Sequence, residues 1–144
     1  MSGYSGTPLA RKLGIRPAAR MFVRAPPDNY AALLAPLPES VQRVRRIDAR
    51  TDLIHLFATR ASALRRELAV ARRAMRDDAV IWVSWPKKAA GIYSDISENG
   101  VRALALPLGL VDVKVCAVDE TWSGLKLVLR VSERGGAANR ARRA

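Results

Sequence analysis

The residues with the clearest chemical potential stand around one predicted strand end, in the run Trp82–Lys88 (WVSWPKK). Lys87 and Lys88 at the carboxyl end of a strand could hold an anionic ligand, with Ser84 as a hydrogen-bond donor and Trp85 as a stacking wall. In the competing interpretation the tryptophans pack in the core, the proline ends the strand, and both lysines are solvated. The residue types favour this second interpretation, whereas the position at a strand end favours the first.

A polar stretch follows at residues 93–99 (YSDISEN). Most of its polarity suits a helix start, because serine and aspartate cap helices and Asp95 with Glu98 has the shape of a weakened capping box. If a cleft exists, Lys87, Lys88, Asp95 and Glu98 would face one another across a short loop and could perform acid–base chemistry. The ligand-binding candidates are Ser84, Trp85, Lys87, Lys88, Tyr93, Asp95 and Glu98.

A third group of candidates lies in the stretch DETWSG between two alternating runs near the end of the chain. An exposed tryptophan beside two carboxylates would suit contact with a protein partner, so Asp119, Glu120 and Trp122 are candidate contacts. A tryptophan folded back over the sheet is the commoner alternative.

Other reactive residue types are isolated. His55 lies inside a predicted strand, where a histidine is usually a hydrogen-bonded structural residue, and Cys116 has no neighbouring histidine and is expected to pack as a small apolar residue. A single cysteine allows no intrachain disulfide and no metal site built on paired thiolates. The motifs of serine hydrolases and zinc proteases are missing from the sequence. We therefore predict no metal site and assign no catalytic residue.

Hydrophobic periodicity and the positions of proline and glycine predict the elements that hold these residues. The best helix carries apolar residues at spacings of three and four along one stripe, with arginines on the opposite side. Two alternating runs at the end predict a hairpin. The predicted strands are residues 20–24, 41–47, 52–58, 79–85, 111–118 and 125–131, and the helices are 8–13, 29–35, 60–76 and 94–106.

Strands that alternate with helices predict a mainly parallel sheet with helices on both faces, because parallel neighbours need a crossover connection. The segment 52–87 (strand, long helix, turn, strand) resembles the middle of class I methyltransferase-like domains, whose sheets also end in a closing hairpin. We expect a three-layer, Rossmann-like α/β fold, mainly parallel and closed by a C-terminal antiparallel hairpin. Likeness of fold implies no activity.

The loop after the first strand argues against a nucleotide cofactor. Ligands of such sheets bind outside the carboxyl ends of the strands, where glycines let backbone N–H groups approach phosphate or cofactor. Here residues 25–29 read APPDN, and two prolines supply no N–H and cannot adopt a positive φ. Asp48 could hold a ribose, although a turn-forming aspartate is the commoner case. Ordinary adenosyl-methionine or dinucleotide binding is disfavoured, and we expect no cofactor.

Composition indicates one globular domain. The chain has 144 residues, 49% of them hydrophobic and 26% charged, as an ordinary folded domain has. No stretch approaches the roughly 18 apolar residues of a membrane helix, and the amino terminus has no signal-peptide pattern. We expect a cytoplasmic protein without a membrane partner. Residues 1–131 are assigned to a single α/β domain and residues 132–144 to a disordered basic tail.

The net charge of +12 permits a nucleic-acid partner without requiring one. Arginines dominate over lysines, a skew that coding bias would also produce. The arginine face of the long helix and the tail could track phosphates. A solvated helix face is the commoner explanation, because no aromatic residues interleave with those arginines as single-strand binding would require.

Three segments carry a second resemblance: GYSGTPLARKLGI (3–15), WVSWPKKAAG (82–91) and GLVDVKVCAVDETWSGLKLV (109–128). On these segments the chain is similar to a family of small bacterial proteins known only as a domain of unknown function. The resemblance extends over most of the chain up to about residue 131. It implies a bacterial cytosolic protein and brings no catalytic roles.

Three functions from different classes follow from the sequence. The first is a non-catalytic or vestigial methyltransferase-like domain that binds a small ligand or a protein partner, suggested by the sheet pattern with the missing glycine loop. The second is an enzyme acting on a small anionic substrate through Lys87, Lys88, Asp95 and Glu98. The third, not favoured, is a nucleic-acid-binding protein that uses the arginine-rich helix and the tail.

Overall fold

The computed structural model describes residues 7–135. The strands are β1 (Arg20–Arg24), β2 (Gln42–Val44), β3 (Leu53–Phe57), β4 (Val80–Pro86), β5 (Leu110–Ala117) and β6 (Trp122–Leu129). The helices are α1 (Leu9–Leu13), α2 (Tyr30–Leu34), α3 (Ala61–Ala74) and α4 (Glu98–Ala105). All strands join one sheet in the order β2-β1-β3-β4-β6-β5.

The sheet is mostly parallel. Strands β1 to β4 pair in parallel, while β6 is antiparallel to both β4 and β5. The pairs Trp82–Lys126 and Pro86–Trp122 set the register of the hairpin against β4. The predicted α/β architecture with a closing C-terminal hairpin is therefore confirmed. The chain direction across the sheet reverses between β1 and β3, which is where such folds bind ligands.

Helices cover both faces of the sheet. The face under α3 and α4 buries Ile54, Ile81 and Leu127 against apolar residues of those helices. The opposite face, under α1 and α2, buries Trp82 and His55 beside aromatic and aliphatic neighbours. Alternation along the buried strands sends successive side chains to the two cores, as a strand covered on both faces requires.

Strand β2 is shorter than the sequence pattern suggested, ending at Val44 rather than at residue 47. Residues 45–52 must carry the chain past β1 to reach β3 on its other side. Ile47 packs on the core along the way. This crossover is too short to contain a helix, and it includes residues 45–47, which the sequence pattern had assigned to the strand.

Only the first four residues of the predicted tail, 132–135, belong to the described part of the chain. Residues 132–135 follow β6, and Arg134 Nε donates to the carbonyl oxygen of Leu129 over 3.0 Å. Residues 1–6 and 136–144 lie outside the described part. None of the described helices is long and apolar enough to cross a lipid bilayer.

Candidate functional site

The carboxyl ends of the parallel strands form one edge of the sheet, and some of the candidates predicted from the sequence lie there. Lys87 follows β4 and its N–H donates to the carbonyl oxygen of Thr121 in the hairpin turn, over 2.8 Å. Pro86 pairs with Trp122 at the same level. The WVSWPKK run and the DETWSG turn, which are distant in sequence, are therefore neighbours at the strand ends.

A groove of about 450 Å³ lies at this edge, at the ends of β1 and β3. Its volume falls in the range of small-molecule pockets, about 300–1,000 Å³. Arg24 Nε contacts Glu67 Oε2 at 2.6 Å, joining the end of β1 to α3 across the groove. Apolar side chains form much of the remaining wall. The groove is lined by Arg24, Ala25, Leu56, Phe57, Ala58, Thr59, Arg60, Ala63, Leu64 and Glu67.

The loop after β1 has a tight turn built without glycine. Ala25 has φ +54°, a left-handed conformation that non-glycine residues rarely adopt. The next two residues are prolines, and the first N–H of α2, that of Tyr30, donates to the carbonyl oxygen of Pro27 over 3.0 Å. A strained non-glycine turn at a ligand edge costs about 1–3 kcal/mol and persists only where its surroundings hold it.

Asp95 holds the beginning of α3. Its carboxylate oxygen Oδ1 accepts from the Ala61 N–H at 2.6 Å, and its own N–H donates to the Thr59 carbonyl oxygen. The first N–H groups of a helix lack partners within the helix and attract anions. A side chain from a distant loop thus occupies the anion-binding position at the end of α3, beside the groove.

Glu98 points to a different cluster. Its carboxylate contacts Arg102 Nη2 one helical turn along α4. Arg102 Nε also contacts Asp112 Oδ2 of β5 at 2.9 Å, and this hydrogen bond holds the pKa of Asp112 below its ordinary value despite some desolvation. Ser97 caps α4 by accepting from the Gly100 N–H over 3.0 Å. Asp95 and Glu98 therefore serve two separate helices.

The two lysines stay apart from these carboxylates. Lys87 is half-buried and Lys88 is exposed in a short 3₁₀ turn. Among residues 7–135, neither lysine forms an ion pair with Asp95 or Glu98. The acid–base arrangement expected of these four residues is thus not assembled in the described structure.

Ser84 and Trp85 are buried rather than open to a ligand. Ser84 is 0% exposed and its Oγ lies 2.8 Å from His55 Nε2. The other ring nitrogen, Nδ1, lies 2.7 Å from the hydroxyl of Tyr30. Burial lowers the pKa of His55 to about 3, so the ring is neutral at physiological pH. Trp85 packs in the core under α3 and α4.

This Ser84–His55–Tyr30 chain has the hydrogen bonds of a nucleophile–base pair without its accessibility. A catalytic serine needs an oxygen that a substrate can reach, and here both Ser84 and His55 are fully buried. Phe57 stacks on the imidazole with ring centres 4.2 Å apart. The chain is therefore a satisfied polar network inside the core, as the sequence suggested for His55.

Tyr93 is the aromatic candidate that remains at the surface. It is 73% exposed, and the Arg60 guanidinium lies 5.6 Å from its ring centre. Because Arg60 also lines the groove, Tyr93 is next to a residue of the groove wall. An exposed tyrosine stacked with an arginine is a suitable surface for a ligand.

The hairpin turn is organised from within. Asp119 Oδ1 accepts from the N–H groups of Thr121 and Trp122, at 2.9 and 2.7 Å. The Trp122 ring meets Phe57 edge-on at 5.1 Å between centres, so it packs over the sheet. Glu120 is exposed. Partner contact through Asp119, Glu120 and Trp122 stays a prediction, although the first and last of these side chains already stabilise the turn.

Solved structures share this architecture, whereas no family model and no curated protein sequence matches the chain. A SAM dependent methyltransferase from Aquifex aeolicus aligns with a TM-score of 0.55 at 13% identity, over 83% of this chain and 86% of its own. The fold is that of the class I methyltransferases. Magnesium protoporphyrin IX methyltransferase from Synechocystis PCC 6803, with bound SAH, aligns at 0.55 and 8% identity, over 84% of this chain and 78% of its own.

Proteins that share the methyltransferase-like fold do not all catalyse the same kind of reaction. A structure described as a pericyclic reaction enzyme aligns with a TM-score of 0.50 at 12% identity, over 86% of this chain and 47% of its own. Identities this low establish the fold alone. The resemblance to a domain of unknown function stays a prediction.

The groove residues do not fit S-adenosylmethionine, the cofactor that this fold implies. The turn after β1 presents a Cβ and two prolines where a glycine turn would present N–H groups. The exposed side chain after β2 is Arg45, a cation where a ribose-binding carboxylate would be needed. Asp48 instead stabilises a turn, accepting from the Arg50 N–H over 2.8 Å. The described residues contain no cluster that could hold a metal ion.

Sequence reasoning missed the residues that shape the groove. Arg24 and Glu67 are 43 positions apart and Asp95 and Ala61 are 34 apart, so no local spacing signals either contact. One clue was present: Arg24 ends a strand at the ligand edge, and Glu67 is the one acidic residue in the arginine-rich segment 61–74.

Proposed function

We propose that the chain is a non-catalytic methyltransferase-like domain that binds a small ligand in the groove at the ends of β1 and β3. The observation that carries the proposal is the loop after β1. It keeps the place of a cofactor loop but combines a left-handed Ala25 with Pro26 and Pro27. Such a loop closes over the strand end without offering a row of N–H donors.

The charges around the groove favour a neutral ligand. Arg24 is paired with Glu67, and the carboxylate of Asp95 lies at the start of α3 next to Arg60. These four groups cancel in formal charge. Apolar wall residues then contribute most of the contact area, and removing apolar surface from water contributes about 25 cal/mol per Å². We expect a neutral, mainly apolar ligand, with Tyr93 as a stacking surface next to the groove wall.

Calorimetric titration with S-adenosylmethionine and its demethylated product tests the non-catalytic part. We expect no saturable binding of either compound at millimolar concentration. A dissociation constant in the micromolar range would contradict the proposal, since it would require the proline loop to hold the cofactor after all. Turnover of an acceptor that is lost in Lys87→Ala would favour the enzyme instead.

Native mass spectrometry of the full chain purified from its own cells tests the ligand-binding part. We expect a retained small molecule in the wild type and in Ala69→Phe, and its loss in Ala63→Phe. Ala63 lines the groove, whereas Ala69 lies on the side of α3 that faces α4. The two substitutions add the same bulk to the same helix, so a ligand that survives both, or a wild type without ligand, contradicts the proposal.

A nucleic-acid partner is the second candidate, and one observation favours it. The β2 edge and the crossover after it carry Arg43, Arg45, Arg46 and Arg50, all exposed. Within residues 7–135 none of the four forms an ion pair. Arginines without carboxylate partners are available to phosphates.

Fluorescence anisotropy with labelled single-stranded RNA and duplex DNA tests this candidate. Binding should weaken steeply as salt is added, with a logarithmic slope of about −0.9 for each phosphate of the duplex that the protein neutralises. The double variant Arg45→Gln/Arg46→Gln should lose affinity, whereas Arg65→Gln/Arg66→Gln tests the arginine face of α3 that the sequence suggested and should keep it if the β2 edge is the binding surface. Undetectable binding at low salt would remove the candidate.

A further inference from the structure

A second cavity lies at the opposite end of the sheet, and the proposed function leaves it unused. It has a volume of about 500 Å³ and is bounded by the end of α1, the chain entering β1 and the beginnings of β3 and β4. Ligands of this fold bind at the other edge, so the cavity is separate from the groove. It is lined by Leu13, Gly14, Arg16, Pro17, Ala19, Asp52, Leu53, Arg76, Asp78, Val80 and Lys126.

We call this the amino-end cavity, because it lies at the amino ends of the parallel strands, and its walls are preformed. The carbonyl oxygen of Leu13 accepts from Nε1 of the buried Trp82 over 2.9 Å, which ties the end of α1 to β4. Gly14 ends α1 at φ +79°, the left-handed conformation that glycine adopts without strain. Pro17 restricts the chain that follows. A fixed, partly apolar concavity of this size is what small-molecule sites have in common.

Each nitrogen of the Arg76 guanidinium already has a partner within the protein. Its Nη2 contacts Asp52 Oδ1 at 2.6 Å and its Nε contacts Asp78 Oδ1 at 2.5 Å, while Nη1 reaches the carbonyl oxygen of Ala49 at 3.5 Å. Burial would raise the pKa of Asp52, but the Arg20 N–H and Arg76 outweigh it and hold that pKa below its ordinary value. Asp52 is therefore ionised, and both carboxylates of the cavity are already paired with Arg76.

Two cations of the same cavity have no such partner. Neither Arg16 nor Lys126 forms an ion pair or side-chain hydrogen bond with any residue in the described range 7–135. Arg16 follows α1, and Lys126 lies on β6 opposite Trp82, on the face that α1 covers. Three cations against two carboxylates leave the lining with one net positive charge.

We propose that the amino-end cavity is a binding site for a small monocarboxylate with an apolar body, held at its charged end by Arg16 and Lys126. An arginine fork matches a carboxylate with two parallel hydrogen bonds, and a lysine supplies a point charge. The apolar body lies against Leu13, Pro17 and Val80. The single excess charge selects a monoanion over a phosphate dianion, which would leave one charge unbalanced beside Asp52 and Asp78.

The probe is benzoate, titrated into the full chain and followed through backbone amide resonances. We expect saturable shifts centred on Gly14 and Lys126. Lys126→Met and Arg16→Gln should each weaken benzoate binding roughly ten- to a hundredfold, the value of one charge-assisted hydrogen bond. Lys88→Met is the matched control, because it removes an exposed lysine in the turn after β4, at the other end of the sheet, and it should leave benzoate binding unchanged.

Benzyl alcohol and inorganic phosphate separate the two parts of the proposal. The alcohol keeps the apolar body without the charge, and phosphate keeps the charge without the apolar body, so both should bind more weakly than benzoate. Non-saturable benzoate shifts, shifts centred on Thr59 and Arg60, wild-type affinity for benzoate in Lys126→Met and Arg16→Gln, or tighter binding of phosphate than of benzoate would each overturn the proposal. If Lys126→Met fails to fold, the exposed Arg16→Gln variant carries the same test.

Discussion

His55 makes the stability of this protein depend on pH in a window where few other groups titrate. The folded chain holds its ring neutral, with a pKa of about 3, whereas an unfolded histidine titrates near 6.5. Below pH 6.5 the unfolded chain therefore binds a proton that the folded chain does not. The contribution of the neutral His55 ring to stability is therefore fully present above pH 6.5 and is lost as the pH falls towards 3.

The size of the effect follows from that difference in pKa. Between the two pKa values, one pH unit changes the free energy of unfolding by about 1.4 kcal/mol. Because the upper pKa lies near 6.5, the free energy of unfolding should fall by about 2 kcal/mol between pH 7 and pH 5. Asp48, Asp52 and Asp112, whose pKa values lie below their ordinary value, contribute only at lower pH. The interval from pH 7 to pH 5 therefore isolates His55.

Urea unfolding of the wild type and of His55→Gln at both pH values measures it. Glutamine can still donate to and accept from Ser84 and Tyr30 but carries no proton in this range, so its stability should be the same at pH 7 and pH 5. A wild type that is flat over this interval, or a variant with the same fall, would refute the reasoning. A flat wild type would also mean that His55 titrates normally and is reachable by water, reopening a catalytic role for Ser84.

Three further outcomes are expected. Asp95→Ala should lower the free energy of unfolding by about 1 kcal/mol because it uncaps α3; Asp28→Ala, on an exposed loop, is the control and should change little. Gly124→Ala should cost about 1–3 kcal/mol in urea unfolding, since a Cβ there would meet Val118 at 3.3 Å and Trp82 at 3.4 Å, and an unchanged midpoint would contradict the packing. The Cys116 thiol should react with a disulfide reagent more slowly than a free thiol at pH 8, because burial raises its pKa; labelling at the free-thiol rate would show the site to be open.

The element order could be predicted because each element carries its own local signal. The apolar run of β3, the stripe on α3 and the alternation of the hairpin strands each follow from how those elements are buried. Strand β1, at Arg20–Arg24, has the bounds that the sequence pattern predicts. Strand β2 was too long in the prediction, since the path of the chain across the sheet, rather than side-chain type, ends it at Val44.

The candidate site was predictable in position and not in its contacts. Parallel topology places every strand end at one edge, so the region around Trp82–Lys88 follows from the pattern alone. Whether a carboxylate faces a lysine or caps a helix depends on loop paths that no spacing encodes. Asp95 was expected to act with its sequence neighbour Glu98, but it bonds to Ala61 across the fold. The amino-end cavity joins residues from five separate segments, and no sequence pattern predicts it.

The irregularity in the outer hairpin strand has a consequence for which changes of length the protein tolerates. The pairing of β5 with β6 shifts between Asp112 and Lys114. As a result, Asp112 meets Arg102 on the α4 side, while Lys114 lines a cavity with Arg11 of α1 on the other. Deleting Val113 would remove the extra residue and leave Lys114 and the residues after it opposite their present partners on β6, so these side chains would keep their faces. Deleting Val115 instead would shift the pairing by one residue and turn the side chains beyond it to the wrong faces. This strand should therefore tolerate the loss of Val113 far better than the loss of a residue from its regular part.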